Sequence, residues 1–171
     1  MVIENNKQSR GNKYPEKEAF KYLATWMDKK GVDPYELAEA VVELQKPFIS
    51  DLTFEEASNA VYSVTSKWDF LNAFMTGVEI DRLATEHKLS EPLQSIIKDD
   101  LGVYSIDEIL ALSICEIYGG IAISTFGYLD KKKRGVAKKL DEDTSTVNVF
   151  LDDIVSAIIA SACGKVAHDH Q

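Results

Sequence analysis

SIDEILALSICEIYGGIAISTFGYLD, residues 105–130, opens on the adjacent carboxylates Asp107 and Glu108, closes on Asp130, and carries a single charge, Glu116, in between. Its apolar residues fall on every face rather than along one stripe, the pattern of a buried core helix or a membrane span. Its length approaches the roughly 20 residues that a span needs. Glu116, the pair Gly119-Gly120 and the lack of a second such segment argue against a span. The stretch is therefore expected to be the central helix of a soluble helical bundle. Carboxylates gathered at the ends of such a helix are costly to bury unless a cation or a metal partners them.

The flanking chain reads as the helices that surround it. From Pro15 to Lys30, Ala19, Phe20, Tyr22, Leu23, Trp26 and Met27 recur at helical spacing, and Gly31 stops the run. Asp33-Pro34 is an N-cap followed by proline at the first helical position, in a helix that should end near Pro47. Thr53 and Glu56 have capping-box spacing. An amphipathic segment runs from about Lys67 to His87, where Gly77 marks close packing or a kink. Ser90 is expected to cap a short helix through Ile97, Asp130 to Leu140 to form a shorter helix or turn, and the last helix to run from about Val147 to His168. No alternating strand pattern and no repeat is visible. The expected fold is all-α, seven or eight helices with one buried central helix surrounded by about five or more others. Residues 1–13 read as a disordered tail and 14–171 as a single all-helical domain.

With 28 acidic against 19 basic residues, the net charge of -9 argues against a broad nucleic-acid surface and against general adhesion to anionic membranes. Cys115 and Cys163 sit among small and apolar residues and read as reduced, buried thiols. The N-terminus shows no apolar signal segment, so a cytoplasmic protein is expected. There is no nucleophile elbow, no phosphate-binding Walker loop and no dinucleotide fingerprint.

The acidic residues carry the chemistry. Ser105 and Glu108 fit a capping box, and Asp107 would favour the positive end of the helix dipole. Asp152 and Asp153 lead a second helix whose other faces hold Ser156, Ala157, Ala160 and Ser161, small residues that let another helix pack closely. That helix should be buried nearly all round, although a dipole pair on an exposed helix start is the alternative reading. Two acidic pairs, each leading a buried helix, fit a cage of hard oxygen ligands for Mg²⁺ or Mn²⁺, with Asp107, Glu108, Asp152 and Asp153 as the metal residues. Zinc is not expected, because the cysteines lack ligand spacing and His168-Asp169-His170 reads as a solvated tail. Asp130 is followed by Lys131, Lys132, Lys133 and Arg134, cations suited to a phosphate if the helix ends converge. Glu116 reads as hydrogen-bonded core or a subunit contact.

IDEILAL, FGYLDKKKRGV and NVFLDDIVSAI, in this order and spacing, resemble the phosphatidylglycerophosphatase A family. The closer likeness is to its short soluble branch in Gram-positive bacteria, some members of which are named low temperature requirement protein C. The family's acidic pair, its F-D-x-x-K-P segment and its L-D-D segment fall on Asp107-Glu108, on Asp130 with Lys133, and on Asp152-Asp153; the proline is Arg134 here. The membrane enzymes' transmembrane helices have no counterpart, and Thr76-Gly77 is all that resembles their Gly-rich motif. The resemblance implies Mg²⁺-dependent hydrolysis of a phosphomonoester, with phosphatidylglycerophosphate, cleaved to phosphatidylglycerol and phosphate, as the lipid candidate. Asp107, Glu108, Asp130, Lys133, Asp152 and Asp153 would be the catalytic set, Asp130 completing the cage or positioning Lys133, and Lys133 with Arg134 neutralising the phosphate. A homo-oligomer, cytoplasmic or peripheral to the membrane, is expected, without nucleic acid as partner. The rivals are a non-catalytic helical regulatory protein with the same fold and a helical nucleotide pyrophosphohydrolase, whose E-x-x-E spacings the adjacent pairs do not match.

Overall fold

The computed structural model describes residues 13–101 and 104–171, so all but the last residue of the expected tail lies outside it. The described residues form α1 (Glu16–Lys30), α2 (Pro34–Gln45), α3 (Phe54–Thr65), α4 (Trp68–Thr85), α5 (Leu93–Lys98), α6 (Ile106–Glu116), α7 (Gly119–Lys131), α8 (Gly135–Asp141) and α9 (Leu151–Asp169), and no strand. The all-α fold class stands. The central helix, however, is α9: α2, α3, α4, α6, α7 and α8 all pack on it, and its side chains are buried from Leu151 to Gly164. That burial follows from the sequence of α9, which has apolar or small residues on every face beyond its first turn.

The stretch from Ser105 to Asp130 is not one helix and not the centre. It breaks at Ile117-Tyr118 into α6 and α7, and Gly119 takes a φ of 76°, a left-handed conformation that glycine adopts cheaply. The two pieces fold against each other and lay one side each on α9. Their outer sides stay exposed, Ile109 at 58% and Ile117 at 42%, so apolar composition there does not mean burial. Glu116 is exposed, which removes the reading of it as hydrogen-bonded core.

Local signals behave according to their chemistry. Asp33 accepts a hydrogen bond from the Tyr35 N–H at 2.9 Å with Pro34 at the first position, and Thr53 and Glu56 close a reciprocal capping box. Gly31 ends α1 in the left-handed region. Two expected caps are absent. Ser105 is itself left-handed, with a φ of 63°, and its side chain makes no capping bond, because a capping box needs an extended N-cap. At α5 the first-turn contact comes from Glu91, whose carboxylate accepts from the Ser95 hydroxyl at 2.8 Å, and not from Ser90. The last helix starts at Leu151 rather than Val147, because residues 147–150 are tied down by other partners described below.

Gly77 marks close packing. A Cβ at this position would lie 2.6 Å from Ile154 Cδ1 and 3.0 Å from Phe150 Cβ, both at the start of the central helix. Gly77→Ala gains about 1 kcal/mol of helix propensity but overpacks the α4–α9 contact by about 1–3 kcal/mol. The expected result is a net loss of stability, read as a lower denaturant midpoint; a midpoint above wild type would show that the contact has slack.

Candidate active site

One cavity of about 640 Å³ collects Asp107 and Glu108 from the start of α6, Asp130 from the end of α7, Lys133 from the α7–α8 connection, and Asp152 and Asp153 from the start of α9. All six residues expected from the sequence line it. Arg134 does not: it points away, to Glu43 Oε1 at 3.3 Å and over the Tyr128 ring, so it is removed from the phosphate-binding role. His168 and His170 are exposed and far from it in the fold, His170 standing 3.3 Å from Glu56.

The start of α9 is built from outside the helix. Asp81, on α4, is buried and accepts hydrogen bonds from the backbone N–H groups of Phe150, at 3.1 Å, and Leu151, at 2.9 Å. It caps α9 across 70 residues of chain, satisfying donors that a helix start leaves open. The Val147 N–H donates to Thr85 Oγ1 at 3.0 Å. Lys30 Nζ donates to Thr146 Oγ1 at 2.7 Å and to Asn148 Oδ1 at 2.6 Å, and Asn148 Nδ2 reaches the Leu140 carbonyl at 3.0 Å. Asp143 accepts from the Ser145 hydroxyl and N–H and from Thr146, and these bonds hold its carboxyl well below the usual range. Together these contacts fix the loop that delivers Asp152 and Asp153.

The helix so anchored points two carboxylates inward, each only 3% exposed. Burial pushes Asp153 up to about 8, with Asp152 adding to the rise and Lys133 opposing it. Burial raises Asp152 to about 6 even though Lys133 is paired with it: desolvation outweighs the attraction. Burial alone would lower Lys133, but the charges and hydrogen bonds of Asp152 and Asp141 together hold it above its ordinary value. Its ammonium bridges Asp152 Oδ2 and Asp141 Oδ1, the latter at 2.9 Å. Lys133 is thus positioned by Asp152 and Asp141, and Asp130 is not among its ion-pair partners. Burial also raises Asp107, whose Oδ1 is buried without a hydrogen-bond partner.

Nine carboxylates and two lysines, Lys133 and Lys98, line the cavity. A phosphate dianion entering such a field is repelled unless cations accompany it. The wall therefore fits a divalent cation with hard oxygen ligands: the donors are mostly carboxylates, one buried oxygen lacks a partner, no cysteine lines the cavity and His87 is the one histidine that does. Among the described residues no three such side chains stand close enough together to hold a metal, and Asp152 is paired with Lys133.

The family model for phosphatidylglycerophosphatase A matches residues 36–168, a span that contains every cavity residue named above. The chain belongs to the phosphatidylglycerophosphatase A family. The chain is 46% identical over 143 residues to the uncharacterized protein YutG of Bacillus subtilis (strain 168), covering 83% of this chain and 86% of YutG. The crystal structure of the low temperature requirement C protein from Listeria monocytogenes is similar at a TM-score of 0.83 and 40% identity, covering 91% of this chain and 96% of that one. The crystal structure of ypjQ from Bacillus subtilis is similar at a TM-score of 0.86 and 39% identity, covering 92% and 98%. The fold is thus shared with these proteins across nearly the whole chain. No helix among the described residues is long and apolar enough to cross a membrane.

Sequence reading missed Asp81, Asp141, Asp143 and Lys30. Asp81 left a signal: with Phe74 and Val78 it shares one face of α4, a charged residue at a core position. Asp143 before Ser145 is an Asx-turn pattern. Lys30 left none, because its partners lie more than 100 residues away.

Proposed function

We propose that this phosphatidylglycerophosphatase A family member is a Mg²⁺-dependent phosphomonoester hydrolase. The observation that carries the proposal is the meeting of three acidic segments, far apart in sequence, around one lysine in one cavity. Asp107, Glu108, Asp152 and Asp153 would hold Mg²⁺, which when bound supplies a Lewis acid for the phosphoryl oxygens and lowers the pKa of a coordinated water. Lys133 binds the phosphate: two of its three N–H groups are used by Asp152 and Asp141, and the third is free for a phosphoryl oxygen. Asp141 would keep the Lys133 ammonium at the cavity wall. Asp130, which also lines the cavity, would orient water there. Hydrolysis then places a water oxygen on phosphorus and releases the alcohol oxygen with a proton.

The substrate is phosphatidylglycerophosphate or a soluble phosphomonoester with the same headgroup chemistry. Phosphate release from a panel of both, with and without Mg²⁺, tests it; release that depends on Mg²⁺ is expected. The Lys133–Asp152 pair, standing where a cation would sit, favours the rival reading of a non-catalytic regulatory protein, and no release from any member of the panel would select that reading.

Lys133 gives the sharper check. Charge-assisted contacts to an ionised group contribute about 1.5–3 kcal/mol, so Lys133→Ala should lower kcat/KM by roughly ten- to a hundredfold. Lys131→Ala, exposed and outside the cavity, should have a smaller effect. Because Lys133 partners a buried carboxylate, its loss should also lower stability, more at pH 8, where Asp152 is ionised, than at pH 6. Equal, small effects of both substitutions on kcat/KM would remove Lys133 from the site.

A further inference from the structure

We propose that the outward face of α7 is an interface with a second copy of this chain, packed antiparallel about a two-fold axis at Ser124. Ala122, Phe126 and Leu129 are the buried side of α7, turned to α9. The other side carries Gly120, Ile121, Ser124, Gly127 and Tyr128, spaced at three and four residues and all exposed. No charge interrupts this stripe. A helix face of this kind is normally covered; here Arg134 stands over the Tyr128 ring, while Gly120, Ile121, Ser124 and Gly127 are left exposed.

The two glycines sharpen the point. A Cβ on Gly120 or Gly127 would meet nothing within 4 Å, and neither has the positive φ that demands glycine. Neither the packing nor the backbone of the monomer requires them, although glycine in a helix is unfavourable relative to alanine. Small residues on an outer face allow a second helix to approach closely.

The identity of that helix follows from the order of the stripe. Reversed about Ser124, Gly120 falls opposite Tyr128 and Ile121 opposite Gly127, so each bulky side chain meets a glycine. Self-complementarity on reversal is what a two-fold interface requires of a single surface, and an unrelated partner requires nothing of the kind. A lipid surface is disfavoured by the net charge of -9. The inference is independent of the phosphatase reading.

Sedimentation and light scattering of the whole protein at micromolar concentration test it. Wild type should have twice the chain mass. Ser124→Arg and Gly120→Arg should each halve it with the far-ultraviolet circular dichroism unchanged, since space lies open over Gly120. Ser124→Cys should form a covalent dimer with a short bis-maleimide, while Glu142→Cys, exposed at the end of α8, should not; Cys115 and Cys163 are buried and stay silent. A monomeric wild type overturns the proposal, including one that binds anionic vesicles through this face. A dimer that survives both arginine variants and gives no Ser124→Cys cross-link overturns it equally, placing the contact on another surface.

Discussion

Asp153→Asn should stabilise the metal-free protein at pH 8 and flatten its stability profile between about pH 4 and 8. The sign follows from proton linkage. Burial lifts Asp153 to about 8, far above the value of about 4 in an unfolded chain, so between those limits the folded state holds a proton that the unfolded state has lost. Stability is therefore full below about pH 4, falls as pH rises, and stops falling above about pH 8. Each such group contributes a slope of up to about 1.4 kcal/mol per pH unit. Asp81, also near 8, and Asp152, near 6, act in the same direction, so the wild-type slope is steep and one substitution removes one share of it. Asparagine keeps the shape without the desolvated charge, and the gain at pH 8 should be on the order of 2–4 kcal/mol. Mg²⁺ should raise the wild-type melting temperature by binding the folded state alone, and Asp152→Asn with Asp153→Asn should abolish both that rise and turnover. Denaturant midpoints across pH, with and without Mg²⁺, measure all of this; a double variant that still responds to Mg²⁺ like wild type would place the cation elsewhere.

Asp81→Ala should lose about 2–4 kcal/mol of stability, although Asp81 lies outside the main cavity. Its carboxylate is the partner of two buried N–H groups at the start of α9, and alanine leaves both unsatisfied. Asp81→Asn keeps an acceptor oxygen and should cost far less, particularly because burial pushes Asp81 up to about 8 and so favours its uncharged form. The lost cap should also free Phe150 and Leu151 for local opening, one residue from the buried pair Asp152 and Asp153. Amide hydrogen exchange at those two positions should accelerate by at least tenfold in Asp81→Ala, the factor that about 1.4 kcal/mol of local stability represents. Equal stability of Asp81→Ala and Asp81→Asn would remove the capping role.

Helix starts at Asp33 and Thr53 and the stop at Gly31 were legible because their chemistry is local, a side chain and a backbone group within three residues of each other. The acidic pairs were legible because charges that interrupt an apolar pattern need a reason. The all-round burial of α9 was also written in its composition, since no charge separates Asp153 from Lys165. That single chain of residues determined an all-α protein with two acidic helix starts and a lysine three residues beyond a third aspartate. Only the tertiary structure decided that α9, rather than residues 105–130, is the centre: apolar composition does not say which of two such stretches is covered, and one left-handed glycine folds the longer one back to the surface. Only the tertiary structure, likewise, turned Lys133 inward and Arg134 outward, and brought Asp81 to the start of α9. Those contacts join residues 19, 91 and 70 positions apart, and their partners are chosen by how helices pack, which no local pattern records.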